Sequence, residues 1–247
     1  MTYFYVFDEL ENIKMKLLKI TFATLFILVS VSCSKENNTN NTETDPENLD
    51  SFSSQLCTNV TGAKAVYWDL ANGIAVPLNF VPILENINGQ FIHSQLPYLG
   101  FQMPTGYTAT EIYDPSTQAI GVNLIRNDNN AVWRYLPTIT FVGNISASDI
   151  IAFEINQIMG FHNTNVTPQV LCTESRNIPN SAFVVNFTAR LINFGNFTAT
   201  VYVQTYYFAD LDRTFASIAV SSGPKNDYDN LIKDIFLPIS WQLLIGP

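Results

Sequence analysis

Residues 182–209 contain two runs in which apolar and polar side chains alternate at every second position, a period that belongs to β-strands. In the first run Phe183, Val185, Phe187, Ala189 and Leu191 alternate with Val184, Asn186, Thr188, Arg190 and Ile192. In the second, Phe197, Ala199, Val201, Val203 and Tyr207 alternate with Thr198, Thr200, Tyr202, Gln204 and Tyr206. The odd-numbered set is the more apolar in both runs, so the two sets are expected to share one core face. Opposed residues must then have an even sum, which excludes a two-residue loop. Phe194-Gly195-Asn196 provides three residues, and Gly and Asn tolerate the left-handed conformation such a loop needs. The resulting register pairs Leu191 with Ala199 and Phe187 with Val203. Asn186, Arg190, Tyr202, Gln204 and Tyr206 would then gather on the opposite face. Rings that stack beside uncharged hydrogen-bonding groups suit a glycan or a polar peptide, which makes these five the candidate ligand-binding residues.

More strands flank the hairpin. Tyr98–Met103 and Tyr107–Tyr113 surround the turn signal Pro104-Thr105-Gly106. Thr117–Arg126 places Ile120, Val122 and Leu124 on one face, and Ala131–Tyr135, Ile139–Val142 and Thr214–Val220 read as further strands. A helix is expected over Ser148–Met159, with Ser148 as its N-cap and Gly160 as its stop. A second is expected from Tyr228, with Asp229 and Lys233 paired one turn apart and an end near Leu237, before Pro238. Residues 58–95 resist assignment, although Tyr67, Trp68, Ile74 and Val76 look buried. These elements predict an α+β domain, an antiparallel meander packed with a few helices, over residues 53–247.

Charged residues are only 13% of the chain against 47% hydrophobic, which excludes a disordered chain. The net charge of −9 leaves no large basic stripe, so a nucleic-acid partner is excluded.

The segment Gly100-Phe101-Gln102-Met103-Pro104-Thr105-Gly106-Tyr107, a following antiparallel meander and a final amphipathic helix together resemble the PsbP-like family over roughly residues 98–243. The resemblance implies an α/β/α sandwich around an antiparallel sheet. It implies an accessory role more than a specific chemistry.

The N-terminus reads as an address. Met15-Lys16-Leu17-Leu18-Lys19 is a cationic start, Ile20–Val31 is uncharged and mostly apolar, and Ser32-Cys33 closes the run, the pattern of a secretory signal over 15–32. The apolar run, as a helix, would reach about 18 Å, short of a hydrocarbon core of roughly 30 Å. Ser30-Val31-Ser32-Cys33 resembles the lipobox of bacterial lipoproteins, which implies a diacylglycerol anchor on Cys33 and membrane lipid as a partner. Residues 1–14 are acidic and aromatic, unlike the start of a signal, which suggests that translation begins at Met15. Residues 33–52 read as the lipidated N-terminus and a flexible tether spanning roughly 25 Å. Ser34, in place of Asp, implies the outer membrane. Ser34-Lys35-Glu36 loosely resembles the surface-export tag of Bacteroidota lipoproteins, which leaves the periplasmic face and the cell surface both open.

With Cys33 assigned to lipid, Cys57 and Cys172 remain and are expected to form a disulfide in an oxidising compartment. His93 and His162 stand at no metal-ligand spacing, and no nucleophile elbow, P-loop or dinucleotide fingerprint occurs. No catalytic residue, metal site or cofactor is therefore expected. Asp210-Leu211-Asp212 and Asp227-Tyr228-Asp229 read as a hairpin turn and a helix start before they read as calcium ligands. The sequence favours a binding or accessory module. A secreted hydrolase, such as a carbohydrate-active enzyme, is the alternative, and it would require two carboxylates about 5–10 Å apart in one cleft.

Overall fold

The structure, a computed structural model, describes residues 49–76, 78, 80–96, 98–179 and 184–246. The signal segment, Cys33 and most of the tether lie outside the described residues, as do Ala182 and Phe183 of the first alternating run. The folded unit begins earlier than residue 53: Leu49–Ser51 forms a 3-10 turn and Leu49 is only 3% exposed.

Among the described residues ten strands form two antiparallel sheets. The smaller joins β1 (Ile87–Ile92), β2 (Tyr98–Pro104) and β10 (Leu244–Gly246) in the order β1-β2-β10. The larger contains β3 (Tyr107–Asp114), β4 (Ala119–Arg126), β5 (Val132–Val142), β6 (Gln169–Pro179), β7 (Val184–Phe194), β8 (Phe197–Phe208) and β9 (Arg213–Pro224). Its spatial order is β3-β4-β5-β9-β8-β7-β6. The strands on either side of Pro104-Thr105-Gly106 therefore belong to different sheets.

Both faces of the large sheet are covered, each over its own core. Helix α1 (Ala63–Ala71), the C-terminal helical segment and the inner side of the small sheet close one face around Trp68, Phe101, Leu124, Trp133, Phe187, Tyr228 and Phe236. Helix α2 (Ala147–Phe161) closes the other, with Ile151, Ile155 and Ile158 packed on Ile192, Phe194, Val201 and Ile218. This is the α/β/α layering expected from the sequence.

Ser146, not Ser148, is the N-cap of α2; its side chain accepts from the Asp149 backbone N–H at 3.1 Å. Strand β5 runs through Pro137 instead of breaking there, because the proline falls in the irregularity between Leu136 and Ile139, where no ladder hydrogen bond is required of it. That irregularity also switches the strand's parity. Trp133 joins the first core, while Leu136, Ile139 and Phe141 join the second.

The C-terminal segment passes Pro238 without stopping. It comprises α3 (Tyr228–Leu231), a π-turn (Ile232–Phe236) and α4 (Leu237–Gln242), with Pro238 in the first turn of α4. A proline there supplies no N–H to the preceding turn, and the wider π-turn directly upstream accommodates the break.

Cys57 and Cys172 are disulfide-bonded, with their Cα atoms 6.1 Å apart. The bond ties the segment before α1 to edge strand β6, closing a separation of 115 residues.

Candidate functional site

The β7–β8 register differs from the sequence expectation. Leu191 opposes Thr200, Ala189 opposes Tyr202 and Phe187 opposes Gln204, so opposed residues have an odd sum. The loop is the two-residue Gly195-Asn196, with Gly195 at φ 55°. Odd positions of β7 therefore share a face with even positions of β8. The five candidate ligand residues are divided: Tyr202, Gln204 and Tyr206 point to the first core, while Asn186 and Arg190 point to the α2 side.

Tyr202 is core, not surface. Its hydroxyl donates to the Trp68 carbonyl at 3.3 Å and the Tyr67 carbonyl at 3.4 Å, and its ring lies among Tyr67, Trp68 and Phe187. Burial holds its pKa well above the ordinary tyrosine value. Tyr206 is buried and stacked on Phe215 at 5.1 Å, and burial pushes its pKa up to about 12. Gln204 is half-buried, opposite Phe187.

Asn186 and Arg190 acquire neighbours that the sequence alone did not assign to them. Strand β6 pairs with β7 so that Thr173 opposes Arg190, Ser175 opposes Thr188 and Asn177 opposes Asn186. On β8, Thr205 opposes Asn186. Three adjacent strands thus line up hydroxyls and amides in rows, beside α2 and up to the sheet edge. Thr173, Ser175 and Asn177 are exposed, and Asn186 and Arg190 are half-buried. Ser175 Oγ donates to Thr188 Oγ1 at 3.2 Å. The buried Thr205 Oγ1 has no hydrogen-bond partner among the described residues. Arg190 is the only charged side chain in the strip, and among the described residues no carboxylate pairs with it. β6 was missed because its sequence, Gln169–Pro179, shows no sustained apolar alternation: Glu174 and Arg176 stand on the same face as Cys172, where Arg176 lies 4.9 Å over the Phe187 ring.

The histidines serve the fold. His93 Nδ1 accepts from the Gln95 N–H at 3.0 Å, so Nε2 carries the proton and donates to the Ile112 carbonyl at 3.1 Å, joining the small sheet to β3. His162 Nε2 lies 2.8 Å from Ser222 Oγ, and Ser222 in turn donates to the Thr198 carbonyl at 3.2 Å. This pair is not a nucleophile and base. Ser222 is fully buried, its proton is committed, and among the described residues no acid stands behind His162 Nδ1. Burial lowers the His162 pKa to about 4.

Most carboxylates are likewise engaged. Asp69 accepts from Ser54 Oγ and the Gln55 N–H, and Glu111 from Ser94. Glu154, 2% exposed in α2, pairs with Arg134 at 2.9 Å, and burial raises its pKa. Asp128 and Asp227 share Arg126 at 2.9 and 3.0 Å, beside a shallow cavity of about 420 Å³ lined by Thr108, Thr110, Ile125, Arg126, Asn127 and Asn129. The Arg126 hydrogen bond holds Asp128 below the usual carboxylate range, the opposite of what a glycosidase acid requires. Asp234 is pushed up by burial. Asp210 and Asp212 end a hairpin, where Asp212 accepts from Tyr207 Oη at 2.8 Å. Among the described residues no three His, Cys, Asp or Glu side chains are grouped to hold a metal.

No family model and no curated protein matches the chain. Among solved structures it is similar to cyanobacterial PsbP from Synechocystis, at 10% identity over 65% of this chain and 94% of that one, with a TM-score of 0.35. It is also similar to LpqN of Mycobacterium tuberculosis, described as involved in cell envelope biogenesis, at 10% identity over 66% and 93%, with a TM-score of 0.33. The Saccharomyces cerevisiae Ran-binding protein Mog1p is similar at 9% identity over 65% and 96%, with a TM-score of 0.31.

Proposed function

We propose that the protein is an envelope lipoprotein, anchored to the outer membrane by lipid on Cys33, that acts as a binding or accessory module and not as an enzyme. The observation that carries the binding reading is the strip on β6 and β7. There Arg190, with which no carboxylate among the described residues pairs, stands among Thr173, Ser175, Asn177 and Asn186, next to solvent. Hydroxyls and amides satisfy the polar edges of a glycan or a polar peptide, and a lone guanidinium selects one that carries a carboxylate. The anchor rests on residues 15–33 of the sequence. The committed histidines and carboxylates weigh against hydrolysis.

Two experiments test this. Cys33→Ala should release the protein from the membrane fraction; an intact, lipid-free chain that remains there rules out the anchor. The released chain is then screened on glycan and peptide arrays. Binding without turnover supports the module, whereas release of a cleavage product from any array member makes it a hydrolase.

A further inference from the structure

Residues 86–110 and 235–247 contain no Asp, Glu, Lys or Arg, although the chain carries a net charge of −9. The fold brings these two stretches together, because they supply all three strands of the small sheet. The inner side of that sheet is core: Leu99 and Phe101 are buried, and Phe101 meets Trp133 edge-on at 5.6 Å. Its outer side is open. Ile92 and Leu244 both oppose Gly100 from the two flanking strands, so the three lie in one row across the sheet. Gly100 has no side chain, and the apolar row is therefore a shallow notch with Ile92 57% and Leu244 68% exposed. Tyr98, two residues along the same face, is 54% exposed, and Trp241, three residues before Leu244, is 50% exposed. The polar residues on this face are the neutral Gln90 and Gln102, which oppose each other.

We infer that this outer face docks on the surface of a phospholipid bilayer. An exposed apolar row such as Ile92 and Leu244 across Gly100 marks an interaction site. Its composition fits a membrane interface: branched aliphatics for the acyl boundary, and Tyr and Trp, whose rings favour the headgroup level. Charge points the same way. An acidic domain is repelled by an anionic leaflet everywhere except where its surface is free of charge. The inference rests on the Cys33 anchor, which supplies proximity. Residues 34–48 separate Cys33 from Leu49, and that length of chain reaches at most about 55 Å when extended, enough for any face of the domain to meet the bilayer.

Trp241 is a built-in reporter, since Trp68 and Trp133, the other two tryptophans, are buried. The full chain is purified from membranes, the mass of its N-terminal peptide is measured, and the protein is reconstituted on phosphatidylethanolamine/phosphatidylglycerol vesicles with and without brominated acyl chains. Bromolipid should quench Trp241 emission, and the Ile92→Glu/Leu244→Glu double variant should lose that quenching while keeping its thermal midpoint. Absence of quenching in an acylated chain overturns the docking face, and so does equal quenching in the variant. A concentration-dependent dimer that the variant disperses would also overturn it, because the face would then belong to a second copy. If the mass shows Cys33 unacylated, the anchor reading fails separately. Quenching of that chain by the same brominated vesicles in large excess, where docking too weak to survive fractionation is still read, then decides the face: variant-sensitive quenching upholds it and no quenching overturns it.

Discussion

Asp229 caps a helix to which it does not belong. Its Oδ1 accepts from the Lys64 backbone N–H at 2.9 Å and its Oδ2 from Lys64 Nζ at 2.6 Å, at the first turn of α1. The N-cap of α1 is Gly62, at φ 78°, which has no side chain to offer; a Cβ there would come within 3.1 Å of the Asp229 carboxylate. Glycine and distant carboxylate are complementary, and together they dock the C-terminal segment on α1. Asp229→Ala should cost about 1–2 kcal/mol in urea unfolding, the magnitude of a lost cap. The pair with Lys233 expected from sequence would account for only about 0.3–0.5 kcal/mol. A loss in that lower range would contradict the cap.

Stability should fall on mild acidification. His162 is stacked on Phe197 at 3.8 Å, and its buried Nδ1 has no partner, so protonation places a charge and a donor where nothing accepts them. Its folded pKa of about 4 lies below the ordinary value of 6.5. A depressed folded pKa contributes stability that is present above the unfolded pKa and lost as pH falls through the folded one. Thermal midpoints should therefore drop between pH 6.5 and pH 4, by the equivalent of up to about 3 kcal/mol. His162→Gln should flatten that slope; an unchanged slope would mean that other groups set it.

Reducing the Cys57–Cys172 bond should lower stability by about 4–5 kcal/mol in the chain-entropy model, given a separation of 115 residues. Comparing thermal midpoints with and without reductant checks this, and Cys57→Ser/Cys172→Ser should reproduce the reduced value.

Tyr202 and Arg190 should behave as opposites. Tyr202→Ala empties a buried ring site among Tyr67, Trp68 and Phe187, so a loss of about 3–5 kcal/mol is expected, while the Trp68 carbonyl keeps its bonds from Asn72. Arg190→Ala changes a half-buried residue without an ion-pair partner and should stay within about 0.5 kcal/mol. Circular-dichroism melts of the two variants separate these outcomes.

Much of the fold was legible from periodicity: the face of Ile120, Val122 and Leu124, the helix after residue 146 and the strands flanking the hairpin; the disulfide was legible from the cysteine count. The register of β7 and β8 was not, and the reason is physical. With a helical layer on each side, both faces of the central strands are buried, and Thr198 and Thr200 are as inaccessible as Val201 and Val203. Alternation then contrasts two core faces instead of core with solvent, and it no longer fixes the parity. The same burial turned Tyr202 and Tyr206 from candidate ligand contacts into core. Asn186 and Arg190 remained accessible because they sit next to the edge, and their partners lay on β6, whose pairing only the fold discloses. Lys64 was likewise beyond reach of local reasoning, since its partner is 165 residues away.

The most direct test of the binding reading is amide hydrogen exchange on the Cys33→Ala chain, with and without the tightest ligand from the arrays. Added protection is expected along residues 173–177 and 186–190, with affinity reduced about tenfold or more in Arg190→Ala, the usual effect of removing a charged contact at the centre of a site. Protection confined to other strands, or affinity indifferent to Arg190→Ala, would contradict the account.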